Sequence, residues 1–362
     1  MAIQLNDQFN TLDTNAQITR SVLSSLETQK ILDTVVSRMT DCFSYEKVSI
    51  GLVDRDQPDG IQCCLADRQA ENGARRVHRK ILAADLISLQ NNKEFLIIEE
   101  NQDVPDYLSI LDGDGIEAYL VLPIFLDTNL SAIIMLAYRN AVVLNDDRVR
   151  GRQMADQVAV ALSNSGMVEQ LSRLNWDILK ALARAVDAKS SWTAGHSERV
   201  TKLALKIADS LNLNHKEREN LHRAALLHDI GKLGISSAIL NNPGKLDDVE
   251  YKTMKSHPQM GARILEPIDE QSAIIPIVSQ HHERFDGKGY PAGLSGTSIH
   301  LGARILAVAD VFDALNSDRP YREGMPLEQV LGIIQQESGR QFDPVVVEAL
   351  MNVMYCKASK AA

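Results

Sequence analysis

The sequence predicts a multi-domain protein in which an α/β domain, an antiparallel sheet with helices, is joined by a long helix to an all-α domain. Three observations predict it. The chain has 362 residues, more than one domain usually organises around a single core. Its hydrophobic spacing switches between strand and helix periods as far as about residue 165 and is helical almost throughout beyond that point. Charge and histidine divide near the same place. Residues 1–170 carry 15 Lys and Arg against 25 Asp and Glu, residues 171–362 carry 23 of each, and eight of the nine histidines lie between His196 and His300. These shifts place the domains at 1–163 and 191–362, with a connecting helix over 164–190.

Taken in order, Ser24 to Phe43 sets Leu26, Ile31, Leu32, Val35, Val36 and Met39 at helical spacing, and VSIGLVD (Val48 to Asp54) then alternates like a half-buried strand. A turn at Pro58-Asp59-Gly60 leads into a strand, IQCCLA. The strings AYLVLPIFL and LSAIIMLAY flank the polar turn Asp127-Thr128-Asn129 and read as a hairpin of an antiparallel sheet. A helix from about Asp146 through Val158, Val160 and Leu162 closes the domain. From Asn164 onward, Met167, Leu171, Leu174, Ile178, Ala181 and Ala185 alternate steps of four and three, the spacing of a coiled-coil seam. Fewer than four clean heptads leave two readings open, an amphipathic helix packed on its own domain or the seam of a parallel dimer. Helical periodicity then predicts helices near 198–211, 216–228, 248–265, 272–281, 299–315, 327–337 and 344–354.

Composition excludes several classes. Hydrophobic residues at 44% and charged residues at 24% exclude a disordered or low-complexity chain. No run approaches the roughly 18 apolar residues that a spanning helix needs, and MAIQLNDQFNTLDTN has neither a basic nor an apolar signal region, so the expectation is a cytoplasmic protein without a membrane partner. The four cysteines form no CxxC pair, which argues against a disulfide framework or zinc knuckle. The net charge of −10 resides in the first half and argues against a nucleic-acid polymer as partner, because phosphate-backbone binding needs a broad basic face.

The second half holds an ordered series of possible metal ligands: His196, the doublet His228-Asp229, His257, the doublet His281-His282, and Asp310. Side chains far apart in sequence meet at the axis of a helix bundle, as they do in carboxylate di-iron proteins. Adjacent helical residues point about 100° apart, so His228 and Asp229 do not both face an ordinary core stripe cheaply. A carboxylate with two oxygens can bridge two cations while its neighbouring imidazole binds one. Nitrogen and oxygen ligation without thiolate favours iron, manganese, nickel or zinc in a catalytic site over a structural zinc. The isolated His215, His222 and His300 read as surface or core residues. Lys232, a turn after His228, points to the same side and can donate hydrogen bonds there. Asp313 shares a helical face with Asp310 and suits orientation of a ligand. In the string HHERFDGKGYP, Gly287 and Gly289 free the backbone for positive φ, Pro291 stiffens the exit, and Asp286 to Pro291 shape the pocket or a partner surface.

The order of elements in the first domain, with GIEAYLVLPIFLDTNLSAIIMLAYRN followed by QVAVALSNS, resembles a GAF domain, a small sensory α/β module. Residues from about 176 to 355 resemble the HD-GYP family of cyclic di-GMP phosphodiesterases through TAGHSERV, HDIGKLGI, PGKL, SHPQMGARIL, HHERFDGKGYP, ILAVADVFDAL, SDRPYR and GRQFDP. That resemblance implies an all-α HD-GYP domain that hydrolyses the 3′,5′-phosphodiester of cyclic di-GMP, either to pGpG or on to GMP, by attack of a metal-bridging hydroxide, under control of the GAF-like domain. The family's ligands fall on His196, His228, Asp229, His257, His281, His282 and Asp310. For that chemistry the candidate catalytic residues are Asp229, Lys232, which suits donation to a phosphate oxygen or the leaving group, and Asp313, which suits orientation of the nucleophilic water. Arg319 and Arg322 resemble the family's phosphate-binding residues, and Lys232 is a further substrate-binding candidate.

The implied cofactor is a pair of divalent cations, iron or manganese ahead of nickel or zinc. Members with three metals carry a Glu four residues before the first His, where this chain has Trp192. A tryptophan does not ligate, so a binuclear site is expected unless Asp187 substitutes. Ser236-Ser237 replaces a common Pro-Asp. Expected partners are cyclic di-GMP, a second copy in a parallel homodimer through the GAF-like domain and connecting helix, and a signalling protein. Two alternatives remain: turnover of a related nucleotide such as cyclic GMP-AMP or pGpG, and a receptor that binds without turnover.

Overall fold

The strings AYLVLPIFL and LSAIIMLAY form two neighbouring interior strands of a sheet in the first of two units, Met1–Ser172 and Arg173–Ala362. The computed structural model describes residues 28–43, 45–53, 60–67, 75–93, 95–99, 102–140, 145–190, 195–242, 244–268, 273–318 and 323–358. Pro58, Asp59, Trp192, Arg319 and Arg322 lie outside the described residues.

In the first unit the elements are α1 (Thr28–Cys42), β1 (Lys47–Val53), β2 (Gly60–Asp67), β3 (Arg75–Lys80), α2 (Ala83–Asn91), β4 (Leu96–Glu99), β5 (Ala118–Leu126), β6 (Asn129–Tyr138) and the start of α3 (Asn145–Lys189). The strands pair antiparallel in the order β3-β2-β1-β6-β5-β4. One face buries Val48, Ile50, Leu120, Leu122, Ile134 and Leu136 against Ile31, Val35 and Met39 of α1 and Met154, Val158 and Leu162 of α3. The other face buries Cys63, Val121, Ile133 and Met135 against Leu89 of α2 and Tyr107, Leu108 and Leu111 of a short 3-10 turn. Cover on both faces explains why β5 and β6 read as nearly continuous apolar runs although they are antiparallel. The hairpin turns at Asp127, whose φ of 57° lies in the left-handed region that Asp tolerates.

Helix α3 runs unbroken from Asn145 to Lys189, so the closing helix and the connecting helix of the sequence reading are one element. Met167, Leu171, Leu174 and Ile178 are exposed by 59%, 65%, 55% and 50%. Among the described residues none of the four is therefore more than half covered.

The second unit is helical: the end of α3, α4 (His196–Ser210), α5 (His215–Leu227), α6 (Asp248–Met254), α7 (His257–Leu265), α8 (Ile275–Gln280), α9 (Leu301–Asn316), α10 (Leu327–Gln336) and α11 (Pro344–Ala358). Leu203, Ile207, Leu221, Ala224, Leu227, Ile305, Val308 and Leu350 belong to its core. Asn214 and Glu217 form a reciprocal capping box that starts α5, and Asp247 and Glu250 do the same for α6. The single helix expected over 248–265 is two helices. Ser256 turns its hydroxyl to the Thr253 carbonyl at 2.6 Å, and Pro258 starts a new first turn, where its missing N–H costs nothing. The break puts His257 at a helix start, with its side chain buried. Among the described residues no helix is long and apolar enough to cross a membrane.

Candidate metal centre

Each of the seven proposed ligands sits at a helix end or on the inward face of a helix. His196 opens α4, His228 and Asp229 follow the last turn of α5, His257 opens α7, His281 and His282 follow α8, and Asp310 lies within α9. The structure gathers them into two groups whose ligating atoms lie within 4.8 Å of one another: His196, His228 and Asp310, and His257, His281 and His282. Asp229 stands between the groups. Its Oδ2 lies 3.5 Å from His228 Nε2 and 4.0 Å from His196 Nε2, while its Oδ1 lies 3.4 Å from His257 Nε2.

The imidazoles are set by their outer nitrogens. His228, His257 and His281 each direct Nδ1 at the backbone carbonyl three residues earlier, Ala225 at 2.8 Å, Met254 at 2.8 Å and Val278 at 2.6 Å. A carbonyl only accepts, so Nδ1 carries the proton and Nε2 keeps its lone pair for the interior. His228 Nε2 is buried with no hydrogen-bond partner among the described residues, and His257 Nε2 and His281 Nε2 face each other at 3.4 Å. Two nitrogens bound at about 2.1 Å to one tetrahedral cation stand roughly 3.4 Å apart. The orphaned nitrogen and the converging lone pairs fit divalent cations, with His257, His281, His282 and Asp229 on one side and His196, His228, Asp310 and Asp229 on the other.

Electrostatics separates the two groups. Burial pushes the pKa values of His257 and His281 down, and brings His282 to about 4, so these three rings are neutral and able to ligate near neutral pH. Burial opposes charge on His196 as well. Hydrogen bonds to Asp310 and Asp313 outweigh it and raise that pKa to about 10. His196 Nε2 lies 3.2 Å from Asp310 Oδ1, so a cation entering this group displaces the proton between them. Burial would likewise raise Asp229, but the Lys232 ammonium and surrounding imidazoles hold its carboxyl well below the usual range.

Lys232 lies in a 3-10 turn, Ile230–Gly234, with Nζ 2.5 Å from Asp229 Oδ2. Asp313 accepts from His196 Nδ1 at 2.8 Å, so it sits on the side of the ring away from the ligating nitrogen and orients that ligand. Arg199 grips the same carboxylate with two hydrogen bonds, at 2.7 and 3.0 Å. The sequence reading missed Arg199, although its place three residues after His196 put it on the same helical face. Asp187 offers both oxygens to Ser197, at 2.7 Å to the hydroxyl and 3.2 Å to the amide.

In the loop after His282, Gly287 has φ of 79° as expected. Gly289 does not adopt positive φ. It is needed instead for close approach, because a Cβ there would lie 2.3 Å from the Arg284 amide nitrogen. Asp286 accepts from the Arg284 fork and from the Lys288 amide, and the Tyr290 amide bonds the His282 carbonyl at 3.2 Å. Glu283, also missed, is buried and accepts from the amides of Ala292 and Leu294, closing the loop around Pro291. Of the remaining histidines, His300 caps α9 by accepting from the Gly302 amide, and His222 stacks on Trp176 at 4.2 Å.

Gly231 sets the distance between the groups. A Cβ on it would lie 1.9 Å from the His257 carbonyl oxygen and 2.6 Å from the Gly261 amide nitrogen. Only a glycine lets the turn after Asp229 lie so closely on α7.

Comparison with known proteins gives two family matches, an HD domain over residues 180–346 and a GAF domain over residues 27–162. The 3′3′-cGAMP-specific phosphodiesterase 3 of Vibrio cholerae is 44% identical over 177 residues, 49% of this chain and 38% of that protein. The cyclic di-GMP phosphodiesterase response regulator RpfG of Xanthomonas campestris is 35% identical over 269 residues, 70% of this chain and 68% of that protein. A cyclic di-GMP phosphodiesterase of Pseudomonas aeruginosa is 33% identical over 281 residues, 74% of this chain and 67% of that protein.

Proposed function

Because this chain belongs to the HD-GYP family, we propose that its helical domain hydrolyses the phosphodiester of cyclic di-GMP, to pGpG or on to GMP, in the cytoplasm, with the GAF-like domain as regulator. The observation that carries the proposal is Asp229, which offers one carboxylate oxygen to each of two histidine-rich groups. A phosphodiester is an anion that repels hydroxide. Two divalent cations, iron or manganese ahead of nickel or zinc, would be held by His257, His281, His282 and His196, His228, Asp310 with Asp229 between them, and would lower the pKa of water and screen the phosphate charge.

The chain's own groups supply the rest. The Nδ1 anchors hold the imidazoles in one tautomer, Asp313 and Arg199 hold His196, and Lys232 stands beside Asp229 to donate to a phosphate oxygen or to the departing 3′-oxygen. Arg319 and Arg322 are proposed as phosphate-binding residues on the resemblance of SDRPYR alone.

A second reading, cyclic GMP-AMP as substrate, is favoured by the 44% identity to a phosphodiesterase named for that nucleotide. A receptor without turnover is disfavoured by the full donor set. Manganese-loaded protein incubated separately with cyclic di-GMP, 3′3′-cyclic GMP-AMP and pGpG, with products separated by chromatography, tests these readings. Cleavage of cyclic di-GMP that Asp229→Ala abolishes, together with reduced metal content, is expected. Equal turnover by that variant overturns the two-cation reading, and cleavage of cyclic GMP-AMP alone selects the second substrate.

Regulation is proposed to act through a parallel homodimer along α3. Its apolar stripe Met167, Leu171, Leu174 and Ile178 has heptad spacing and is half or more exposed in a single chain.

A further inference from the structure

The last residue of α3 reaches the turn beside the metal centre. The Lys189 ammonium donates to three backbone carbonyls, Lys232 at 3.1 Å, Leu233 at 2.6 Å and Ile235 at 2.6 Å. An ammonium has three donors, and all three are spent on one stretch of backbone. The Lys232 carbonyl also accepts the Ile235 amide at 3.1 Å, which closes the turn, and three carbonyls turned to one point repel each other unless a cation sits there. A return bond, Asn241 Nδ2 to the Lys189 carbonyl at 3.3 Å, holds the Lys189 backbone in turn.

The turn so gripped carries Lys232, whose own ammonium lies on the carboxylate between the two ligand groups. Two residues before Lys189, Asp187 binds the hydroxyl and amide of Ser197, the neighbour of His196. One turn of α3 therefore holds a ligand of the first group on one side and the Asp229–Lys232 turn on the other.

We propose that Lys189 is a positioning residue, which fixes the Ile230–Ile235 backbone so that the Lys232 ammonium stands at the phosphate. A displacement of the last turn of α3 then reaches the Asp229–Lys232 turn through this side chain. The inference rests on the phosphodiesterase reading for its effect on turnover, but the grip itself is testable without turnover.

The test uses full-length Lys189→Met, which keeps length and removes the charge, with Lys232→Met and the double variant. In metal-free protein, amide exchange of residues 230–236 should rise at least tenfold in Lys189→Met, while that of 301–316 stays unchanged. In manganese-loaded protein, kcat for cyclic di-GMP should fall on the order of 10- to 100-fold, the range for groups that orient a ligand or catalytic residue. The double variant should be no slower than Lys232→Met, because the two changes act through one ammonium. Lys189→Arg, whose planar fork does not reach three convergent carbonyls, should lie between parent and Lys189→Met in both readouts, and it serves alone if Lys189→Met does not fold. Unchanged exchange at 230–236 overturns the grip. Losses that multiply in the double variant overturn the action through Lys232. If no cyclic dinucleotide is cleaved by the parent while exchange at 230–236 still rises, the phosphodiesterase reading fails and the grip stands.

Discussion

Replacing Gly231 with alanine tests how closely the ligand groups are held. The three atoms nearest the added Cβ would all be backbone, at 1.9 Å for the His257 oxygen, 2.8 Å for the His257 carbonyl carbon and 2.6 Å for the Gly261 nitrogen, and backbone does not swing aside to admit it. Real Cβ contacts stay beyond 3.0 Å, and the turn and α7 must therefore part by roughly 1 Å, a shift that a close-packed interior does not absorb for free. Asp229 Oδ1 and His257 Nε2, now 3.4 Å apart, would separate to about 4.5 Å. Two ligand bonds of about 2.1 Å span no more than roughly 4.2 Å even in a straight line, so one of the two groups must let go of its cation or lose a ligand. Overpacking of this kind costs about 1–3 kcal/mol, and misplacement of a reacting group by about 1 Å costs on the order of 100-fold in rate. Elemental analysis after dialysis should find nearer one cation per chain than the parent's content, with a lowered unfolding temperature. Gly332→Ala is the control, since a Cβ there meets nothing within 4 Å and should leave metal content unchanged while stabilising α10 by about 0.5–1 kcal/mol. Parental metal content and unfolding temperature in Gly231→Ala would refute the reasoning.

Three further outcomes are expected. Protein loaded anaerobically with iron or manganese should hold about two ions per chain, because Asp187 is engaged by Ser197 at both oxygens and Trp192 offers no donor; three ordered ions in a crystal would show another ligand at work. Asp313→Ala should weaken metal affinity about 10- to 100-fold in chelator competition, since it leaves the His196 ring without its orienting carboxylate, and unchanged affinity would remove that role from Asp313. Leu171→Glu with Leu174→Glu should give monomers with altered phosphodiesterase rate in sedimentation and turnover assays. A parent protein that is already monomeric at micromolar concentration, or a double variant that keeps both assembly and rate, would reduce α3 to a linker.

Periodicity revealed the elements that bury an apolar face and little else. The strings around Val48, Leu120 and Ile134 were legible because each strand supplies large residues to the sheet's core. RRVHRK was not read as β3, because a basic edge strand carries neither alternation nor turn residues, and its pairing with β2 comes from the sheet rather than from its own pattern. The break between α6 and α7 was missed for a related reason. Apolar spacing continues across Lys255 and Ser256, and only the Ser256 hydroxyl and Pro258 mark the interruption.

The ligands were visible in the sequence because buried imidazole and carboxylate are costly unless a cation or partner compensates them, so their crowding within a hydrophobic frame already implied a site. What holds them was hidden, because it is written in backbone atoms. The carbonyls of Ala225, Met254 and Val278 select the tautomers, the His257 carbonyl forbids a side chain at Gly231, and three carbonyls from Lys232 to Ile235 receive Lys189. Any residue type carries a carbonyl, so no pattern of side chains announces these contacts. They appear only when helix ends are brought together. The placement of His228, His257 and His281 just beyond the last turn of a helix then has a physical reason: that is where carbonyls without an intrahelical partner are found, and where an imidazole can take one while turning its other nitrogen to the interior.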